Sequence, residues 1–283
     1  MTMIKKLMGA VALMLTCAAA LASEGGYPLE TAPNRVNDVA SLQNGAKLFV
    51  NYCLNCHAAG SMRYNKLTEI GLTDEQIKKN LLFTGQKVGD LMTIAMSPKD
   101  AKKWFGVTPP DLSVIARAKS QTAGAPGIDY IYTYLRSFYR DTSRPTGWNN
   151  LVFPNVGMPH VLWERQGPRE LTTVAMHRAE GKGEEGWERV TTVYDPQGYA
   201  TVKKDEVASY HGDESFTATF KAANAAQSAQ FDNDVADLTA FLGWMSEPVA
   251  QFRKELGVWV LLFLGLFLVV ALRLNASYWK HVR

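Results

Sequence analysis

The 283-residue chain carries 30 lysines and arginines against 27 aspartates and glutamates, a near-balance that excludes a nucleic-acid binder built on a basic face. Lys5, Lys6, Arg273, Lys280 and Arg283 lie at the two ends, and without them the rest is slightly acidic, 25 bases against 27 acids. About 230 residues between those ends suffice for one good core, or for a core with a large insertion.

The chain opens as a secretory signal does. Lys5 and Lys6 form a basic start, Leu7 to Leu15 is apolar, and Ala20-Leu21-Ala22 matches a small-x-small cleavage site. Residues 1–22 therefore read as a signal peptide, short for a membrane span. Cys17 prompts a lipoprotein reading, but Thr16 is larger than the residue that usually precedes a lipid-modified cysteine.

Leu42, Ala46, Phe49, Val50 and Cys53 recur at helical spacing, so Ser41 to Cys56 reads as an amphipathic helix with Ser41 as N-cap. It delivers Cys53-Leu54-Asn55-Cys56-His57, the Cys-x-x-Cys-His spacing of covalent c-type haem attachment. Positions i, i+3 and i+4 share one helix face, so both thiols can form thioethers while His57 reaches the iron from the same side. A zinc site would need two further ligands, and the only other cysteine is Cys17, in the segment expected to be removed. A thiol–disulfide switch does not need the adjacent histidine. With Cys53 and Cys56 committed to haem, no disulfide is expected.

Thr73 to Leu82 reads as a second helix, with Thr73 as N-cap and Gln76 at the capping-box position. Pro98 to Phe105 starts with Ser97 as cap and Pro98 at N1. Ile128 to Tyr139 reads as an aromatic-rich helix. An electron-transfer haem needs a sixth ligand, whereas a ligand-binding haem leaves that position open. Met62, Met92, Met96, Met158, Met176 and Met245 are the thioether candidates. Met245 lies on an apolar helix face and suits the core; Met92 and Met96, four apart, suit packing. Met158 sits in a loop with prolines on both sides, a rigid setting for presenting one side chain, and His160 is its rival.

Between Arg165 and Ala222 the texture changes. Val190 to Tyr194, Ala200 to Lys203 and Phe216 to Phe220 are short β-like runs separated by turn residues, read as an insertion of about 165–222. Glu180, Glu184, Glu185 and Glu188 form an acidic run, interrupted by Lys182 and Arg189, that reads first as a solvated loop and second as an attraction for a basic partner. Asp232 to Met245 is the last helix of the head, closed by Pro248. Leu256 to Leu272 then runs 17 residues without a charge, long enough to cross a bilayer. Its all-round apolar surface is unlike a buried core helix. Basic residues follow it, so residues 253–274 read as an anchor and 275–283 as a cytoplasmic tail. Residues 23–252 are then a periplasmic head on a bacterial inner membrane, held in membrane lipid by one span.

With these motifs in order, the chain resembles the cytochrome c1 family, the haem subunits of ubiquinol–cytochrome c reductases. The carriers are Asn34 to Gln43, Met62-Arg63-Tyr64-Asn65, Thr108-Pro-Pro-Asp-Leu-Ser113, the Met158 loop and the terminal helix with its anchor. The resemblance implies a mainly α, class I cytochrome c fold with a β-containing insertion, in which Gly45 and Phe49 on the first helix meet Leu238 to Leu242 on the last. It implies one covalent haem c with His57 and Met158 as iron ligands, and Pro109 and Pro110 near the haem edge. It also implies a basic residue and a tyrosine at the propionates, mapping to Lys119 and Tyr130. Lys119 departs from the family's usual arginine and keeps the charge without the planar fork; nearby Arg117 is the alternative. The implied partners are a cytochrome b subunit, a Rieske iron–sulfur protein and a periplasmic cytochrome c, in a dimeric complex. Rival readings are another membrane-anchored c-type cytochrome feeding a terminal oxidase or reductase, a haem-based ligand sensor, and a thiol oxidoreductase.

Overall fold

In the computed structural model the described residues are 27–121, 124–179, 186–208 and 210–281. The expected signal segment with Cys17, the acidic residues Glu180, Glu184 and Glu185, and Arg283 lie outside them.

The first helix, α1 (Val39–Leu48), starts one turn earlier than its apolar spacing suggests. Its cap is Asp38, not Ser41: the Asp38 carboxylate accepts the N–H groups of Ala40 and Ser41, and the Ser41 hydroxyl donates back to it at 3.0 Å. The helix then widens into a π turn over Phe49–Cys53, where Leu54 N–H reaches the Phe49 carbonyl at 3.0 Å. The Cys53–His57 motif therefore occupies the closing turn, not the body of a straight α-helix.

A short strand, β1 (Ala59–Arg63), and a 3-10 segment (Tyr64–Ile70) lead to α2 (Asp74–Asn80), whose Thr73–Gln76 capping box is complete. Strand β2 (Leu91–Met92) pairs with β1, and Met92 is fully buried in the core. Next come α3 (Pro98–Phe105), capped by Ser97 as the sequence indicates, α4 (Ile115–Ala118) and α5 (Gly127–Arg136). The aromatic run expected to stay helical to Tyr139 instead ends at Arg136. Residues 138–140 form β3 (Phe138–Arg140), paired with β4 (Trp148–Asn150). The Asn150 side chain enforces the change, donating to the Tyr134 carbonyl at 2.7 Å just where the helix ends.

A one-turn helix, α6 (Trp163–Gln166), precedes a four-stranded antiparallel sheet in the order β7-β6-β5-β8: β5 (Arg169–Arg178), β6 (Trp187–Tyr194), β7 (Ala200–Val207) and β8 (Ser215–Ala222). The sheet makes the head less purely helical than expected. Helix α7 (Ala225–Ser246) begins well before Asp232, capped by Asn224.

The core forms where α1 crosses α7. A Cβ on Gly45 would lie 2.6 Å from Phe241 Cβ and closer still to the Asp237 carbonyl, so only glycine permits this approach. Phe49 and Phe241 meet with ring centres 5.6 Å apart, and Asn44 and Arg35 both bind the Asp237 carboxylate. Met245 is buried in the same core.

The chain continues as α8 (Ala250–Tyr278), longer than the uncharged run alone. It is the one helix among the described residues long and apolar enough to cross a membrane, and its side chains are exposed all round, Trp259 at 72 %. A helix of this composition is stable only in lipid or against other helices, and it fits a membrane anchor.

Candidate haem-binding site

Cys53, the last residue of the π segment, is buried, and Cys56, on the turn that follows, is half-buried. His57 N–H closes that turn onto the Cys53 carbonyl at 2.9 Å. Burial, and secondarily Cys56, pushes the Cys53 thiol up to about 12, so it stays protonated and does not behave as an activated redox thiol. Among the described residues no group of three or more His, Cys, Asp or Glu is placed to hold a metal ion, so the pair lacks the partners a zinc site needs.

The His57 ring is fixed from the loop between α3 and α4. Its Nδ1 lies 2.8 Å from the Pro110 carbonyl, which can only accept, so Nδ1 carries the proton and Nε2 keeps a free lone pair. Burial lowers the imidazole's pKa against the opposing pull of that bond and of Asp111. A neutral imidazole with Nε2 free is what a metal ligand requires. The loop is itself clamped: Leu112 N–H reaches the Ala58 carbonyl at 2.8 Å, and the Asp111 carboxylate accepts Gly60 N–H at 2.7 Å and Ser113 N–H at 2.8 Å. Burial raises the Asp111 pKa, but the Ser113 and Gly60 bonds outweigh it and hold the carboxyl below the usual range.

The Met158 loop meets the same segment. Gly157 packs closely on its start, a Cβ there lying 3.1 Å from the Val107 side chain and 2.9 Å from the Phe105 carbonyl at the end of α3. The Tyr134 hydroxyl donates to Met158 Sδ at 3.4 Å. Burial, and the neighbouring Tyr130, raise the Tyr134 pKa strongly, so it remains an O–H donor. Tyr130 stacks parallel to Tyr134 at 6.1 Å, and Lys119 Nζ stands 4.7 Å over the Tyr130 ring. Gly127 makes that last contact possible: a Cβ there would lie 2.8 Å from Ser120 N, so α5 could not start so close to α4.

The structure thus gathers Pro110 with His57, and Met158 with Tyr134, Tyr130 and Lys119. Arg117 goes elsewhere, its Nε 3.3 Å from Glu247 beyond the end of α7. His160 is 2 % exposed in an aromatic cage, stacked on Phe138 at 4.8 Å and edge-on to Trp148 at 4.9 Å. Glu188, the one described member of the acidic run, is met by Lys204 at 3.3 Å and His177 at 3.8 Å. Sequence reasoning missed Tyr134, Asp111 and the Pro110 carbonyl. The Tyr130–Tyr134 spacing of four was the available signal for the first.

The donor set fits a covalently attached c-type haem: two thiols and an imidazole on one turn, with a thioether held by the loop that packs against the imidazole's own support.

Comparison with known proteins agrees. The model of the Cytochrome C1 family matches residues 31–170 and 216–282. Cytochrome c1 of Allochromatium vinosum is 40% identical over 279 residues, covering 98% of this chain and 99% of that protein. A protein of Nitrosomonas europaea named ammonia monooxygenase gamma subunit is 40% identical over 282 residues, the full length of both. Cytochrome c1 of Rhodospirillum rubrum is 27% identical over 310 residues, covering 100% of this chain and 99% of that protein.

Proposed function

The chain belongs to the cytochrome c1 family, and on that ground we propose that it is the electron-transfer subunit of a ubiquinol–cytochrome c reductase. It takes one electron from a Rieske iron–sulfur protein and passes it to a periplasmic cytochrome c. The observation that carries the reading is the His57–Pro110 and Met158–Tyr134 arrangement around one loop, in a chain with a single membrane anchor.

The family's cofactor is a covalently attached c-type haem, which supplies one-electron redox chemistry when bound. Cys53 and Cys56 would hold it by thioethers, and His57 Nε2 and Met158 Sδ would bind its iron. The Pro110 carbonyl holds the imidazole in the ligating tautomer. Tyr134 orients the thioether and draws electron density from it. Lys119 and Tyr130 together, rather than Arg117, are the residues to meet the propionates.

The crossing of α1 and α7 supports a class I cytochrome c fold, with residues about 165–222 as its β-containing insertion. Residues 1–22 are taken as the signal peptide, 23–252 as the periplasmic head, 253–274 as the anchor and 275–283 as the cytoplasmic tail. In the membrane the chain sits beside a cytochrome b subunit, in a dimeric complex.

A second reading is kept by one finding, the differently named relative from Nitrosomonas europaea, which matches along its whole length. In that reading the chain is a membrane-anchored c-type cytochrome serving another oxidoreductase. Purification from native membranes decides between the two. Cytochrome b and a Rieske protein co-purifying with a covalent c-type α-band support the reductase; an oxidoreductase without them supports the rival. Met158→Leu in the same preparation should abolish the Met–iron charge-transfer band and lower the haem potential. An unchanged variant would remove Met158 as ligand.

A further inference from the structure

Helix α3 carries three lysines, Lys99, Lys102 and Lys103, against one aspartate, Asp100. Spaced i, i+3 and i+4, the lysines share one face. All three are exposed, and none forms an ion pair among the described residues. The Asp100 carboxylate is turned to the helix start, where it accepts the Ser97 hydroxyl at 2.7 Å. Like charges four apart on a helix repel. The helix dipole favours Lys102 and Lys103 in the last turn but disfavours Lys99 in the first. Helix stability alone therefore does not account for all three.

Trp104 follows them with its side chain 62 % exposed, and Val107, just past the helix, is 51 % exposed. A tryptophan left in water beside an unpaired cationic face has the composition of a protein interface, an aromatic centre with a charged rim. The patch is held in shape. Gly106 closes α3 in the left-handed conformation, and the Thr108 hydroxyl donates to the Pro98 carbonyl at 3.3 Å, tying the following loop back to the helix start. It also lies next to the haem site. Val107 abuts Gly157, the neighbour of Met158. Three residues beyond Val107 is Pro110, whose carbonyl holds His57. Electron transfer slows steeply with distance, so a partner seated on this stretch is well placed to exchange electrons with the haem.

We propose that Lys99, Lys102, Lys103, Trp104 and Val107 form the docking surface for the electron acceptor, and that the acceptor is a c-type cytochrome with an acidic face. Its carboxylates meet the three lysines and an apolar spot beside its haem edge meets Trp104. One electron passes to its ferric iron, with no bond or proton exchanged. The proposal rests on the electron-transfer reading above and adds the charge of the partner. It reverses the sign that the acidic run of the sequence suggests, and Glu188 of that run is already met by Lys204 and His177. An anionic lipid surface would attract the same lysines. A membrane lying on this patch, however, would cover the segment that supports both iron ligands.

The test uses the haem-loaded, detergent-solubilised complex, reduced with ascorbate and mixed in stopped flow with two c-type cytochromes of matched potential. One is acidic around its haem edge and the other basic. In the wild type the acidic cytochrome should react faster at low salt, and its rate should fall as salt rises. Lys102→Glu/Lys103→Glu should lower that rate roughly tenfold or more at low salt and meet the wild type at high salt. Lys102→Gln/Lys103→Gln should lower it less, and keeps the test open if the charge reversal does not assemble. Trp104→Ser should slow the reaction at every salt concentration. Calorimetric binding of the oxidised acidic cytochrome to the oxidised complex, with no electron transferred, should weaken in step. Quinol-driven reduction of the haem without added cytochrome should be the same in all four proteins. If the wild type shows none, the reductase reading fails, while docking is still decided by the ascorbate-reduced protein and by calorimetry. Faster reaction with the basic cytochrome, or acidic-cytochrome rates and binding that ignore these substitutions, overturns the proposal. So does loss of binding to anionic phospholipid vesicles in the lysine variants with their cytochrome kinetics unchanged, which would give the lysines to the membrane.

Discussion

Along α1 and the π turn after it, Ala46 and Phe49 are fully buried, whereas β7 leaves Val202 more than half exposed and runs along the open edge of its sheet. The two regions meet at β3 and the loop after it, where Thr142 N–H takes the Gly198 carbonyl at 3.0 Å and Tyr139 packs on Tyr194 at 4.8 Å. The helical region holds its position by close contacts that tolerate no added atom. The sheet holds its position by backbone register, continuous over eight rows between β5 and β6, with side chains that are mostly half-exposed. The family model spans the first region and skips residues 171–215 in the second. The difference teaches where chemistry constrains the chain: the region that presents Cys53, Cys56 and His57 is the one in which packing fixes single positions.

The sharpest test of that contrast is Gly45→Val. The branched side chain has no room beside Asp237 and Phe241, so unfolding stability should fall by about 3 kcal/mol or more. Denaturant titration of the haem-loaded protein measures this, and a change below about 1 kcal/mol would break the contrast.

Asp141→Asn probes the junction. The Asp141 carboxylate is buried; burial raises its pKa, but the bonds from Ser143 and Asn149 prevail and lower it. A depressed pKa gives stability that is present above the unfolded value, about 3.9, and lost as pH falls through the folded one. The substitution should cost about 1–3 kcal/mol at neutral pH. It should cost nothing once the medium is acid enough to protonate the native carboxylate. Parallel stability–pH curves for the two proteins would remove Asp141 as the acid-sensitive tie between the regions.

Tyr134→Phe removes one hydroxyl on the haem side and leaves the ring stack with Tyr130. The loss of the bond to Met158 should weaken retention of the thioether by about 1 kcal/mol. It would be seen as earlier loss of the Met–iron charge-transfer band on denaturant titration, with the fold intact. An unshifted band would reduce Tyr134 to packing. The smallest effect belongs to the sheet: Val202→Thr, at an exposed edge position, should move stability by no more than about 0.5 kcal/mol. A larger loss would mean that this face is covered in the assembled complex.

Much of the haem side was legible because its signals are local. Cys-x-x-Cys-His, the Thr73–Gln76 box and the Ser97-Pro98 start each sit within a few residues, and Gly45 was identifiable once its crossing partner was recognised. What escaped reading depended on distant partners. Ser41 looked like a cap because nothing local showed that its hydroxyl serves Asp38. The aromatic run through Tyr139 looked helical because Asn150, which ends it, lies 16 residues from the carbonyl it binds. β5 went unlisted among the strands because Arg169, Glu170, His177 and Arg178 mask its alternation at both ends.

The partner of His57 is the main chain itself, the Pro110 carbonyl. A peptide oxygen does not gain a proton anywhere in the range a living cell meets, unlike the carboxylate that orients many histidines. No single side-chain replacement can delete it either. The orientation of this imidazole is thereby insulated both from the acidity of the compartment on which the head opens and from point mutation at its anchor.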